Sequence, residues 1–95
     1  MSDFIVTHSI DENKFFLMDG ENKIGHLGYV FDDDTITVLT TFVEPKFRNG
    51  FVGKKLVDQC VEYARDNSYK IIPLCSFVDV LFRKSKRYDD VKKVK

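Results

Sequence analysis

At 95 residues the chain has room for one domain built on one core. It is 43% hydrophobic and 32% charged, which excludes disorder as the default, and no apolar run approaches the ~18 residues of a membrane span. Formal net charge is +0, yet residues 1–40 hold eight acids against two bases and residues 41–95 seven acids against thirteen bases, so the second half is expected to meet an anionic partner.

The first ten residues, "MSDFIVTHSI", lack a basic stretch leading into an apolar one, so no signal peptide and a cytoplasmic location are expected. The cysteines are Cys60 and Cys75. With only His8 and His26 beside them no zinc spacing exists, and neither a disulfide framework nor a metal is expected.

The first half reads as strands. "FIVTHSI" and "KFFLMD" are short and β-rich, and "GEN" is a turn signal. "KIGHLGYVF" alternates, with Gly25, Leu27, Tyr29 and Phe31 on one side and Ile24, His26, Gly28 and Val30 on the other. "DDDT" makes the next turn, and "TITVLTTFV" has the β-branched density of a central strand. Four strands on short turns predict an antiparallel meander, which Glu44-Pro45 ends because proline cannot donate to the ladder.

After residue 50 the period changes. Val52, Leu56, Cys60 and Ala64 are spaced by four, and Phe51, Val57 and Val61 widen the same face, which predicts an amphipathic helix of about four turns. "DNS" stops it, with Asn67 the expected left-handed cap. "YKIIPL" is a fifth strand, entered from a helix and so expected parallel to the fourth. "SFVDVLFRK" is a second helix, with Ser76 and Asp79 at capping-box spacing. The order is β-β-β-β-α-β-α: an α+β domain with a mixed, mostly antiparallel sheet of about five strands and two helices. Residues 84–95, "KSKRYDDVKKVK", read as a basic tail, solvated and frayed.

"FRNGFVGKK", residues 47–55, sits at the one turn from the meander into a helix. Glycine lets backbone approach a ligand, and the first turn of a helix leaves its amides unpartnered at the positive end of the dipole. With Arg48, Lys54 and Lys55 beside them, those donors suit a phosphate; equally, Asn49 and Gly50 could only cap the helix. A Walker loop is excluded because no Ser or Thr follows the glycine and lysine, and the dinucleotide fingerprint because only Gly50 and Gly53 are present. "GFVG" satisfies the GxxG of KH domains, but that loop joins two helices and here a strand precedes it.

The stretch "TTFVEPKFRNGFVGKKLVDQCVEYARD" resembles the central motif of the GNAT superfamily of acyl-CoA N-acyltransferases: a strand, V-x-P-x-x-R, a glycine loop, then a helix. Val43, Pro45, Arg48, Gly53, Leu56 and Ala64 fall on its marks, while Phe51 stands where the motif has its first glycine and Gly50 lies one residue early. "KIIPLCSFV" and "RYDDV" resemble the short single-domain branch with a P-x-C segment, and the likeness runs from Phe16 to Val91.

The resemblance implies an acetyl-CoA-dependent N-acetyltransferase. It implies that Arg48, Asn49, Gly50, Phe51, Val52, Gly53 and Lys54 hold the pyrophosphate of CoA, with Phe51 turned to the core. It further implies that Phe42 and Val43 pair with the pantetheine arm. The partners it implies are acetyl-CoA and an amine. The short chain leaves an open site that suits a protein amine, the acidic first half argues against nucleic acid, the lack of a long apolar run argues against a membrane, and a monomer is the simpler expectation. An alkylamine must lose a proton before it attacks the thioester, and the departing thiolate needs one. Glu44 is the carboxylate at the end of the fourth strand and Tyr88 the tyrosine in the right order for the proton donor. Cys75 falls where the thioester gap is implied, at a helix start of the kind that favours a thiolate; it could accept the acetyl group, form a mixed disulfide with CoA, or shape the gap. Cys60 is read as core and His26 as a structural histidine. The alternative is a non-catalytic acyl-CoA-binding or protein-interaction module on the same fold.

Overall fold

The computed structural model describes residues 4–48 and 52–93. Strands β1 (Phe4–Ser9), β2 (Lys14–Asp19), β3 (Asn22–Asp32) and β4 (Thr35–Val43) form the antiparallel meander. Helix α1 (Val52–Asn67) follows, then β5 (Lys70–Pro73), parallel to β4 as expected, and helix α2 (Ser76–Lys84). The sheet runs β1-β2-β3-β4-β5.

Turn chemistry sets the meander. Asp33 and Asp34 both adopt positive φ (50° and 66°), the pairing a two-residue hairpin turn needs. Gly20 does the same between β2 and β3 (φ 62°). At the end of α1 the left-handed residue is Ser68 (φ 60°), not Asn67, which stays helical and donates from Nδ2 to the Tyr63 carbonyl at 2.9 Å. The predicted cap moves by one position because Asn67 already has a partner one turn back. α2 is likewise capped one residue early. Cys75 is its N-cap, Ser76 begins the helix, and Asp79 pairs with Arg83 at 2.6 Å, so no capping box forms.

α1 touches all five strands and buries Leu56, Val57, Cys60, Val61 and Ala64 against Phe15, Leu17, Leu27, Ile36 and Ile71. Cys60 is core, and burial pushes its thiol up to about 12. Two irregularities break the simple alternation. Leu17 pairs with Gly25 but Met18 with Lys23, so Ile24 is an extra residue on β3, and it is buried with the core residues although strict alternation puts it on the opposite side. Gly28 pairs with Thr40 but Tyr29 with Val38, so Leu39 bulges from β4.

Residues 86–93, expected as a frayed tail, are docked. Tyr88 and Val91 are buried, and Tyr88 stacks on Phe82 with ring centroids 4.9 Å apart. The Ile71 amide donates to the Val91 carbonyl at 2.7 Å and the Lys93 amide to the Ile71 carbonyl at 2.9 Å, extending the sheet beyond β5. Arg65 Nε holds Asp90 at 2.7 Å. The charge count overlooked this because two apolar side chains decide where a basic segment goes.

On the helix face of the meander, His8 stacks on Phe15 at 3.9 Å and its Nε2 lies 2.7 Å from the Tyr29 hydroxyl. Burial lowers the His8 pKa below 6.5. The folded state therefore disfavours the charged imidazole: the stability it contributes is complete above 6.5 and is lost as pH falls through the lower folded value. Thermal unfolding of wild type and His8→Phe between pH 7.5 and 5 checks this; the wild type should lose more stability on acidification.

Candidate functional site

Pairing between β4 and β5 ends at Val38 and Pro73, while β4 continues to Val43. Proline has no amide to continue the ladder, and the chain turns into α2, with the Cys75 amide donating to the Val38 carbonyl at 3.0 Å. The last residues of β4 are thus unpaired on one edge. A cavity of about 540 Å³ opens there, lined by Thr41, Val43, Arg48, Gly53, Lys54, Phe77 and Leu81.

The Leu39 bulge decides which side chains reach it. From Ile36 and Val38, strict alternation would turn Thr40 and Phe42 toward the helices. The bulge turns Thr41 and Val43 there instead, and Phe42 goes to the opposite face beside His26, 5.6 Å away. At Gly25, opposite Val43, the neighbouring strand leaves no room for a side chain; a Cβ there would stand 2.7 Å from the Phe42 carbonyl oxygen. Gly53 is similar at the cavity wall, where a Cβ would stand 3.2 Å from Phe77 Cζ.

The cavity has a cationic end and an apolar wall. Arg48 Nε donates to the Val43 carbonyl at 2.7 Å, which holds the guanidinium at the end of β4. Lys54 Nζ is 2.9 Å from Asp58 Oδ2, and that hydrogen bond raises the Lys54 pKa, so the ammonium is charged. Asp58 also accepts from the Tyr88 hydroxyl at 2.7 Å. Burial works against the Asp58 carboxylate, but the bonds from Lys54 and Tyr88 outweigh it and hold the carboxyl below its usual range. For Tyr88, burial first and the bond to Asp58 second raise the phenol.

Of the residues singled out in the sequence, Val43, Arg48, Gly53 and Lys54 meet at the cavity. Val52 is half-buried and packs on the core instead. Asn49, Gly50 and Phe51 lie outside the described residues, and with them the expectation that Phe51 turns inward. Cys75 is half-buried, its thiol donating at 3.4 Å to Thr41 Oγ1, one side chain from the cavity. Glu44 caps the short turn Pro45–Phe47 by position alone and is not part of the lining. Tyr88, expected as a proton donor, is 1% exposed and its hydroxyl is committed to Asp58, away from the lining. His26 sits on the far face of the sheet from the helices.

Thr41, Phe77 and Leu81 were not anticipated. The signal for the last two was present: α2 buries Val78 and Phe82, yet carries a second apolar pair at i, i+4 in Phe77 and Leu81. Thr41 had no such signal, because only the bulge turns it inward. Among the described residues no three metal-ligating side chains converge.

A profile of GCN5-related N-acetyltransferases matches residues 14–91. A GCN5-like candidate N-acetyltransferase from Staphylococcus aureus, solved by NMR in solution, is similar over 100% of this chain and 93% of its own at 36% identity, with a TM-score of 0.79. A crystal structure of a GNAT-family acetyltransferase from Staphylococcus aureus Mu50 shares the fold over 61% of this chain and 38% of its own, at 23% identity and a TM-score of 0.55. No curated protein matches the chain significantly.

Proposed function

This chain belongs to the GCN5-related N-acetyltransferase family, and we propose that it moves the acetyl group of acetyl-CoA to an amine at the cavity beside β4. The observation that carries the reading is the pairing of an unpaired strand end with a cationic helix start around one cavity.

Arg48 and Lys54, with the first amides of α1, bind the pyrophosphate of CoA as charge-assisted donors at a helix N-terminus. The absence of a side chain at Gly53 leaves room for it. The pantetheine arm follows the free edge of β4 at Val43, between Thr41 and the Phe77–Leu81 wall, which brings the thioester toward Cys75. A neutral amine then attacks the carbonyl carbon; the C–N bond forms, the C–S bond breaks, and the proton that the nitrogen sheds passes to the thiolate of CoA. Cys75 shapes this end of the gap or takes the acetyl group before the amine does. Tyr88 acts through Asp58 to hold Lys54, and Glu44 is the nearest carboxylate at the strand end for an incoming ammonium.

Calorimetric titration with acetyl-CoA and CoA tests the binding half. Saturable binding is expected, and none at near-millimolar ligand would overturn it. Turnover on a panel of amines, with protein amines included, tests the transfer half. Binding without turnover on any amine would favour an acyl-CoA-binding module instead.

A further inference from the structure

Arg87 is an exposed cation outside the cavity lining, yet its place is fixed. It lies in the single 3₁₀ turn Lys86–Tyr88, where its amide donates to Ser85 Oγ at 3.3 Å and its carbonyl accepts from Arg65 Nη2. The side chain folds back over its neighbour, with Cζ 5.3 Å from the centroid of the Tyr88 ring. A guanidinium is always charged, and among the described residues no carboxylate pairs with this one. The nearby acids are taken: Asp90 by Arg65, and Asp58 by Lys54 and Tyr88. A donor fork laid on an aromatic ring by a docked backbone is thus left without an anion.

That fork stands beside the cationic end of the cavity. The ring beneath it sends its hydroxyl to Asp58, and Asp58 holds Lys54, which lines the cavity. The bond to Asp58 is the main cause of the raised Lys54 pKa, and the Arg87 charge works against that rise, so the two cations are within Coulombic reach of each other. Helix α2 adds Lys84, three residues beyond Leu81 and seven beyond Phe77, on the helix face that walls the cavity.

The shape of CoA brings these groups into use. With the pyrophosphate at Arg48 and Lys54 and the pantetheine arm running to Thr41, the ribose leaves by the other side, outward past Lys54. That ribose bears a third phosphate on its 3′-oxygen, with close to two negative charges near neutral pH. We propose that Arg87 holds the 3′-phosphate of CoA as a two-pronged donor, with Lys84 adding charge, so that the site selects acetyl-CoA over its 3′-dephospho form. The inference rests on the reading of the cavity as an acetyl-CoA site and assigns what recognises the nucleotide end.

Titration calorimetry of the full chain with acetyl-CoA and with 3′-dephospho-acetyl-CoA tests it. Acetyl-CoA should bind about 10-fold more tightly at low salt, and the gap should narrow as salt is raised. In Arg87→Gln the two ligands should bind within about 2-fold of each other, the loss falling on acetyl-CoA alone, while thermal unfolding stays as in wild type. Arg87→Lys keeps the charge without the fork and should retain part of the gap. Lys23→Gln removes one charge on the far face of the sheet, where Lys23 Nζ lies 4.2 Å from the centroid of the Phe16 ring, and should leave the gap as it is. Equal affinity for the two ligands in wild type, a gap that survives Arg87→Gln, or one that Lys23→Gln closes as well would overturn the proposal and leave the acetyl-CoA reading standing. Saturable binding of neither ligand would overturn both.

Discussion

Replacing Gly53 by valine is expected to leave the fold intact and to lower affinity for acetyl-CoA by about 100-fold or more, ~2.7 kcal/mol. The physical reason is room. A Cβ at position 53 would stand 3.2 Å from Phe77 Cζ and 3.7 Å from Val43 Cγ2, so the first atom already reaches both walls of the cavity. The branches of valine would then fill the space beside Arg48 and Lys54 where the pyrophosphate is to lie. Phe77 is 41% exposed and its ring can yield, so the fold should tolerate the change even where the ligand does not. Titration calorimetry on the variant, with thermal unfolding alongside, reads both outcomes. Wild-type affinity in a folded Gly53→Val would remove the ligand from this cavity.

The second large effect is on stability, at Tyr88. Truncation to alanine removes a fully buried ring stacked on Phe82 and should cost about 3–5 kcal/mol. Tyr88→Phe keeps the ring and removes only the bond to Asp58, with an expected cost of ~1–2 kcal/mol. It should also change the acid response. The folded Asp58 carboxyl lies below its ordinary value, so its stabilising contribution is present above pH 3.8 and lost as pH falls through the folded value. Without the phenol that depression shrinks, and the loss of stability between neutral and acid pH becomes smaller. Urea unfolding at neutral pH and near pH 3 measures both effects. If Tyr88→Ala unfolds at the wild-type urea midpoint, residues 86–93 are not docked as described. An effect on turnover from Tyr88→Phe is expected only through Lys54, as weaker binding of acetyl-CoA, which separates a positioning role from proton donation to the thiolate.

Element order, the parallel fifth strand and the buried face of α1 were legible because each rests on local period or short connections: alternation for strands, four-residue spacing from Val52 to Ala64, and a helix between two neighbouring strands. Arg48, Gly53 and Lys54, which line the cavity, stood out in the sequence because glycine, cations and a helix start coincide in the nine residues 47–55. Ser68 as the left-handed residue and Cys75 as the N-cap of α2 were each missed by one position, since which polar group finds a partner depends on neighbours in space.

What the amino-acid sequence determined by itself is therefore the list of elements, their order, the family motif and the cationic helix start. The tertiary structure decided the site's wall and the fate of its tyrosine. One bulged residue, Leu39, reverses the facing of everything after it on β4, turning Thr41 and Val43 to the cavity and Phe42 away, because side chains alternate with a strict period of two. Tyr88 goes to Asp58 because a buried phenol needs a partner and the docked segment brings α1's carboxylate within 2.7 Å. Neither event is local in sequence: the bulge is a register between two strands, and the bond joins residues 30 apart.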